Sequence, residues 1–114
     1  MKTILFLSLM LSTLLVADGK VTPKPLMLFV KMEHCQWCEK MQHEIFDNKE
    51  LVQALRKKYD LVQITAESGN LPDFIKPRYF PTTYLLSPDT LEILDSLPGY
   101  RKKEKFLRFF EVTP

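Results

Sequence analysis

Apolar residues recur along this chain with two different spacings, and the places where one gives way to the other outline the architecture. After Pro23 and Pro25, Leu26-Met27-Leu28-Phe29-Val30 is an unbroken apolar run, the pattern of a strand buried on both faces. From Gln36 the spacing turns helical, with Trp37, Met41 and Ile45 four residues apart on one face, and it breaks near Phe46-Asp47-Asn48. Asp47 or Asn48 can cap a second helical stretch in which Leu51, Val52, Leu55 and Tyr59 share a face. Leu61 to Thr65 then reads as a strand. Between Glu67 and Tyr79 the residues Gly69, Pro72 and Pro77 leave room for one short helix, around Asp73 to Lys76. Two further strands, Thr82 to Leu86 and Leu91 to Leu97, flank a Ser87-Pro88-Asp89-Thr90 turn. Pro98-Gly99 ends the second. A last helix over Lys102 to Glu111 offers Phe106, Leu107, Phe109 and Phe110 to the sheet. The sum is an α/β domain: a central mixed sheet of about four strands with helices on both sides.

The first residues change the picture of where such a domain works. Met1-Lys2 is a short positive start, Thr3 to Val16 is almost wholly apolar, and Ala17-Asp18-Gly19 places small residues two apart. This is the layout of a secretory signal peptide, and the apolar run is short for a membrane-spanning helix. Residues 1–19 are therefore expected to be a cleaved leader, and residues 20–114 a single domain of periplasmic or secreted location. The charge balance, 16 Lys and Arg against 14 Asp and Glu, is that of an ordinary soluble surface. No basic stripe interleaved with aromatics suggests nucleic acid, and a monomer is expected.

Candidate chemistry gathers in "KMEHCQWCEK", residues 31 to 40, which holds both cysteines of the chain. Three uses compete: a redox pair, two metal ligands, or a structural staple. Outside the reducing cytosol such a pair can be oxidised and stay so. A staple closing a four-residue loop gains about 2 kcal/mol, against about 4.7 for a hundred-residue loop, so a sole bridge meant for stability would join distant segments. A metal site could draw on His34, Cys35, Cys38 and His43, with Met32 and Met41 nearby, a soft set suited to copper(I). A second Cys-x-x-Cys or a paired His motif, which a structural zinc site would call for, does not occur. For redox work the position between strand and helix matters: unpartnered backbone N–H groups at the helix start favour an anion there. Cys35 is then the more readily ionised nucleophile, and Cys38, one turn further in, the sheltered resolving thiol.

A Cys-x-x-Cys between first strand and helix, joined much later to "FPTTYLL", resembles the thioredoxin fold, in which a cis-proline before a core strand faces the cysteine pair. The run "CQWCEKMQHEIFDNKELVQAL" is similar to exported thioredoxin-like thiol:disulfide oxidoreductases and to the reductase domain of membrane thiol:disulfide interchange proteins. The resemblance covers nearly all of residues 20–114. It implies Cys35 as attacking thiol, Cys38 as resolving thiol, and Pro81 as the cis-proline shaping a substrate groove in which Phe80 and Thr82 flank an extended peptide. Implied partners are proteins carrying disulfides or dithiols, and a membrane-bound thiol reductase to return electrons. No cofactor beyond the redox-active Cys35–Cys38 disulfide is expected, and no metal.

The chain also departs from thioredoxins proper. Those have Trp before the first cysteine and Gly-Pro between the pair, where this chain has His34 and Gln36-Trp37; the buried acid six residues before the first cysteine is here Phe29. Glu33 or Glu39 could take over proton handling for Cys38. His34 could favour a thiolate on Cys35, and Trp37 could meet a partner or pack inward. Potentials near −270 mV and near −120 mV are about 7 kcal/mol apart, and the likeness to reductase domains tilts the expectation toward a reductant. The alternative is a copper(I) carrier using Cys35, Cys38 and His34.

Overall fold

The computed structural model describes residues 23–114, so the leader expected over residues 1–19 lies outside the described residues. Four strands form one sheet: β1 (Leu26–Lys31), β2 (Asp60–Thr65), β3 (Thr82–Leu86) and β4 (Ile93–Pro98), in the order β2-β1-β3-β4. β1 runs parallel to β2 and antiparallel to β3, and β3 runs antiparallel to β4. With a neighbour on each edge and both faces covered, β1 has four consecutive buried residues, Met27 to Val30. That is why its sequence is continuously apolar rather than alternating.

A parallel pair needs a crossover, and the helical stretch after β1 supplies it. α1 (Gln36–Met41) runs into a π-helical turn, Gln42–Phe46, and then α2 (Lys49–Lys58). Asp47 N–H donates to the Gln42 carbonyl at 2.8 Å, five residues back, which is the widened turn that breaks the helical phase. Asn48 restarts it, its side chain accepting from Leu51 N–H at 3.3 Å. α3 (Lys103–Phe109) closes the chain. Its Phe106 lies edge-on to Phe46 at 5.8 Å, and Phe46 sits 4.4 Å from Phe29 of β1. Tyr59, at the end of α2, donates its hydroxyl to the Phe110 carbonyl at 2.8 Å, tying the two helix ends together.

The larger core lies on one face of the sheet, where Met27 and Phe29 meet Met41, Ile45, Leu55 and Phe106. All three α-helices pack there. The opposite face, Leu28 and Val30 with Tyr84 and Leu86, is closed by Ile75 and neighbours from the segment between β2 and β3. That segment holds a 3₁₀ turn at Ala66–Ser68, ended by Gly69 at φ 81°, and no helix over Asp73 to Lys76. The expected helix there fails for a local reason. Pro77 turns Lys76 away from the helical region, and too few residues follow Pro72 for a helical ladder; one bond, Ile75 N–H to the Pro72 carbonyl at 3.0 Å, is made instead. β4 likewise starts at Ile93 rather than Leu91, because Leu91 adopts φ 61° within the turn and donates its N–H to the Ser87 carbonyl. No helix among the described residues is long and apolar enough to cross a membrane.

Candidate functional site

The motif loop is held before the helix begins. Glu33 N–H donates to both carboxylate oxygens of Glu67, each at 3.2 Å, anchoring the loop to the 3₁₀ turn after β2. His34 follows at φ 53°, a left-handed conformation that is uncommon outside Gly and that His, with Asn and Asp, enters more readily than other residues. That reversal delivers Cys35 to the N-cap of α1. Cys35 Sγ accepts from Cys38 N–H at 3.2 Å, as a capping side chain does. The two cysteines are joined by a disulfide, with Cα atoms 5.2 Å apart.

The two sulfurs are not equivalent. Cys38 is 2% exposed and Cys35 8%, and Cys35 Sγ lies 4.0 Å from the Phe80 carbonyl oxygen. The Phe80–Pro81 peptide bond is cis, so the β3 entrance stands against the motif although 45 residues separate Cys35 from Phe80. Pro81 is buried and Phe80 half-buried. Thr82 is buried too, its hydroxyl donating to the Tyr79 carbonyl at 2.6 Å, which fixes the turn into β3. Gly99 N–H donates to the Pro81 carbonyl at 2.6 Å, and Gly99 adopts φ 78°. A substituent there would be strained.

Trp37 is 49% exposed, whereas Met41 and Ile45 on the same face are fully buried. Side chains on a helix lean toward its N-terminus, so a residue in the first turn overhangs the core. The indole instead meets Tyr100, ring centroids 5.4 Å apart, and Lys40 Nζ stands over both rings at 5.6 and 5.2 Å. The Tyr100 hydroxyl donates to Glu44. That hydrogen bond first, then burial and the charges of Glu44 and Glu104, push the Tyr100 phenol up to about 12. Trp37, Tyr79, Phe80, Gly99 and Tyr100 line an open apolar groove of about 280 Å³. Tyr79, Gly99, Tyr100 and Glu44 were not among the expected site residues. Pro98-Gly99 reads in sequence as the mere end of a strand, and nothing marks Tyr100 as a neighbour of Trp37.

On the other side of the motif, Cys38 lines a polar cleft of about 210 Å³ with His34, Glu33, Glu39 and Lys31. Both candidates for proton handling, Glu33 and Glu39, are therefore at this cleft. Phe29 is fully buried. Its register partner on β3, Thr83, is also fully buried, with a hydroxyl that has no hydrogen-bond partner among the described residues. His43 lies in a different cleft, with Lys40, Glu44 and Lys102, so it is not brought to the cysteines. No group of three or more His, Cys, Asp or Glu side chains among the described residues could hold a metal ion.

Conversion of a dithiol to the bond seen between Cys35 and Cys38 is the chemistry this geometry holds ready, and with the sheet order it marks the molecule as a thioredoxin-fold thiol–disulfide oxidoreductase. The chain belongs to the thioredoxin-like family: a model described as a thioredoxin-like domain matches residues 16–113. Solved structures agree in fold. A thioredoxin from Thermus thermophilus superposes with a TM-score of 0.60 at 18% identity, covering 77% of this chain and 72% of that one. The periplasmic thioredoxin SoxS from Paracoccus pantotrophus, in its reduced form, gives 0.60 at 17%, covering 77% and 93%. The oxidised C-terminal domain of DsbD from Neisseria meningitidis gives 0.53 at 20%, covering 95% and 93%. No curated protein sequence matches the chain.

Proposed function

We propose that the protein is exported and reduces disulfides of other proteins through a Cys35/Cys38 dithiol–disulfide cycle. The observation that carries this reading is the asymmetry of the pair: Cys35 Sγ lies beside the Phe80 carbonyl at the groove, and Cys38 sits deeper behind it. In the reduced protein, Cys35 as thiolate attacks one sulfur of a substrate disulfide. A mixed disulfide forms and the other substrate sulfur leaves as thiolate. Cys38, losing its proton into the polar cleft of Glu33 and Glu39, then attacks Cys35 Sγ. The Cys35–Cys38 bond forms and the substrate departs as a dithiol, two electrons richer. Phe80 and Thr82 offer the backbone along which an extended substrate segment lies beside Pro81.

What faces Cys35 supports the reducing direction. A strong oxidant owes its potential to a stabilised reduced form. Here one backbone N–H, that of Cys38, points at the sulfur, while the Phe80 carbonyl turns its negative end toward it. This modest stabilisation of a thiolate supports a reductant. The cycle needs no bound cofactor. It does need a donor of electrons to the oxidised protein, and for an exported chain a membrane-bound thiol reductase fits. The copper(I) reading gains no support, since His34 does not join the cysteines in a ligand group.

An insulin-reduction assay with dithiothreitol as terminal donor tests the proposal. The wild-type protein is expected to accelerate precipitation of the insulin B chain, and Cys35→Ser to abolish the acceleration. Full activity of Cys35→Ser, or a wild-type rate no faster than dithiothreitol alone, would overturn it.

A further inference from the structure

The apolar groove beside Cys35 does not end at Tyr100. Tyr100 also lines two adjoining clefts, of about 410 and 460 Å³, that share Lys102. Together these clefts carry Lys40, Arg101, Lys102, Lys103 and Lys105 against the carboxylates Glu44 and Glu104. Five cations and two carboxylates leave three net positive charges, whereas the entire chain carries a formal +2. The rim of this groove therefore carries a local positive excess. Lys102, Lys103 and Lys105 are exposed, so their charges are available to a partner. One of the two opposing carboxylates, Glu44, is already engaged by the Tyr100 hydroxyl.

We infer that groove and rim form one docking surface, selecting disulfide-bearing segments with an apolar residue beside the reacting cysteine and acidic residues flanking it. The inference rests on the proposed cycle and adds a substrate class to it. The apolar residue enters between Trp37, Tyr79 and Tyr100, where it displaces water from three aromatic faces. The flanking carboxylates then meet the rim, which steers encounter and fixes direction along the groove. Charge complementarity selects the occupant: a wholly apolar partner would leave the cations facing apolar surface, and a basic one would be repelled.

Two cyclic peptide disulfides that share an apolar residue next to the cysteine, one flanked by aspartates and one by lysines, test this. The pre-reduced protein transfers two electrons to each peptide, and Trp37, the sole tryptophan, reports the change by fluorescence. At about 0.02 M salt the acidic peptide is expected to react about tenfold faster, and at about 0.5 M, where screening is strong, to within about twofold of the basic one. Lys102→Glu with Lys103→Glu is expected to invert the preference. Both positions open α3, where acidic side chains suit the helix N-terminus, so folding is not at risk. Lys49→Glu with Lys57→Glu makes the same change of net charge on α2 and is expected to leave the preference intact.

Neutral 2-hydroxyethyl disulfide separates the two levels of the argument. If it oxidises the protein but the peptides react equally at low salt, the docking surface is refuted and the cycle stands. If neither it nor any peptide oxidises the protein, the cycle itself fails. Sedimentation with phosphatidylglycerol vesicles, lost on charge reversal at Lys102 and Lys103 while the peptides react equally, would overturn the inference in favour of a lipid surface.

Discussion

Reducing the Cys35–Cys38 disulfide perturbs the fold by a small free energy whose sign reports the direction of the redox chemistry. Closing a four-residue loop stabilises the oxidised protein by about 2 kcal/mol in the chain-entropy account. Against this stands whatever stabilises the folded, reduced form. The Cys38 N–H, 3.2 Å from Cys35 Sγ, can give a thiolate a charge-assisted hydrogen bond worth about 1.5–3 kcal/mol. The Phe80 carbonyl, 4.0 Å from the same sulfur, offsets part of that gain. With the hydrogen bond at the lower end of its range, about 1.5 kcal/mol, the oxidised protein stays ahead by about 0.5 kcal/mol, and the opposing carbonyl widens this lead to less than about 2 kcal/mol. Because folding and reduction form one thermodynamic cycle, this places the folded pair up to about 40 mV more reducing than the same pair in the unfolded chain. Urea unfolding at neutral pH, followed by far-ultraviolet circular dichroism with and without dithiothreitol, measures the difference. With a slope of about 1 kcal/mol per molar for a domain of this size, the midpoint should fall by no more than about 2 M on reduction. A reduced protein more stable than the oxidised one by about 1 kcal/mol or more would refute the reasoning, since strong stabilisation of the reduced form marks an oxidant.

Three further outcomes follow from particular side chains. His34→Val should cost about 1–2 kcal/mol in thermal or denaturant unfolding, because a β-branched residue is forced into the left-handed region at φ 53°, whereas His34→Asn should stay within about 0.5 kcal/mol. If His34→Asn also leaves the insulin-reduction rate unchanged, the residue serves the loop's conformation rather than the thiolate. Tyr100 has a folded-state value of about 12, above the ordinary tyrosine value of 10.0. Its contribution to stability is therefore complete below about pH 10 and lost as pH rises toward 12, and Tyr100→Phe should delete the tyrosinate absorbance transition near that upper limit. Phe106→Ala, emptying a fully buried site beside Phe46 and Phe110, should destabilise by about 3–5 kcal/mol in the same unfolding assay.

What could be read in the sequence was whatever depends on near neighbours. Leu26 to Val30 announced a central strand because a doubly buried strand has no polar face, and Asn48 announced a helix start because a cap acts within three residues. The cysteine pair could be placed between strand and helix for the same reason. Asp73 to Lys76 forms no helix because the prolines on either side, which leave space for a single turn, also deny it the residues and the backbone conformation a helical ladder needs. Trp37 shared a face with Met41 and Ile45 in one dimension, but only the end of the core decides that its ring overhangs. Tyr100 and Glu44 escaped altogether: their bond spans 56 residues, and no local pattern carries a contact between the segment after β4 and the π-helical turn. Thr83 escaped too, since an unpartnered buried hydroxyl has no signature in sequence.

The central claim, a reversible and reducing Cys35/Cys38 couple, is tested most directly by equilibrating the purified protein across glutathione buffers of graded potential and reading intact mass. The account predicts one transition in which the protein loses two hydrogens, absent in Cys35→Ser, with a midpoint nearer the thioredoxin value of about −270 mV than the strong-oxidant value of about −120 mV. A midpoint close to about −120 mV would contradict the reductant reading, and no reversible two-hydrogen change at all would contradict the couple itself.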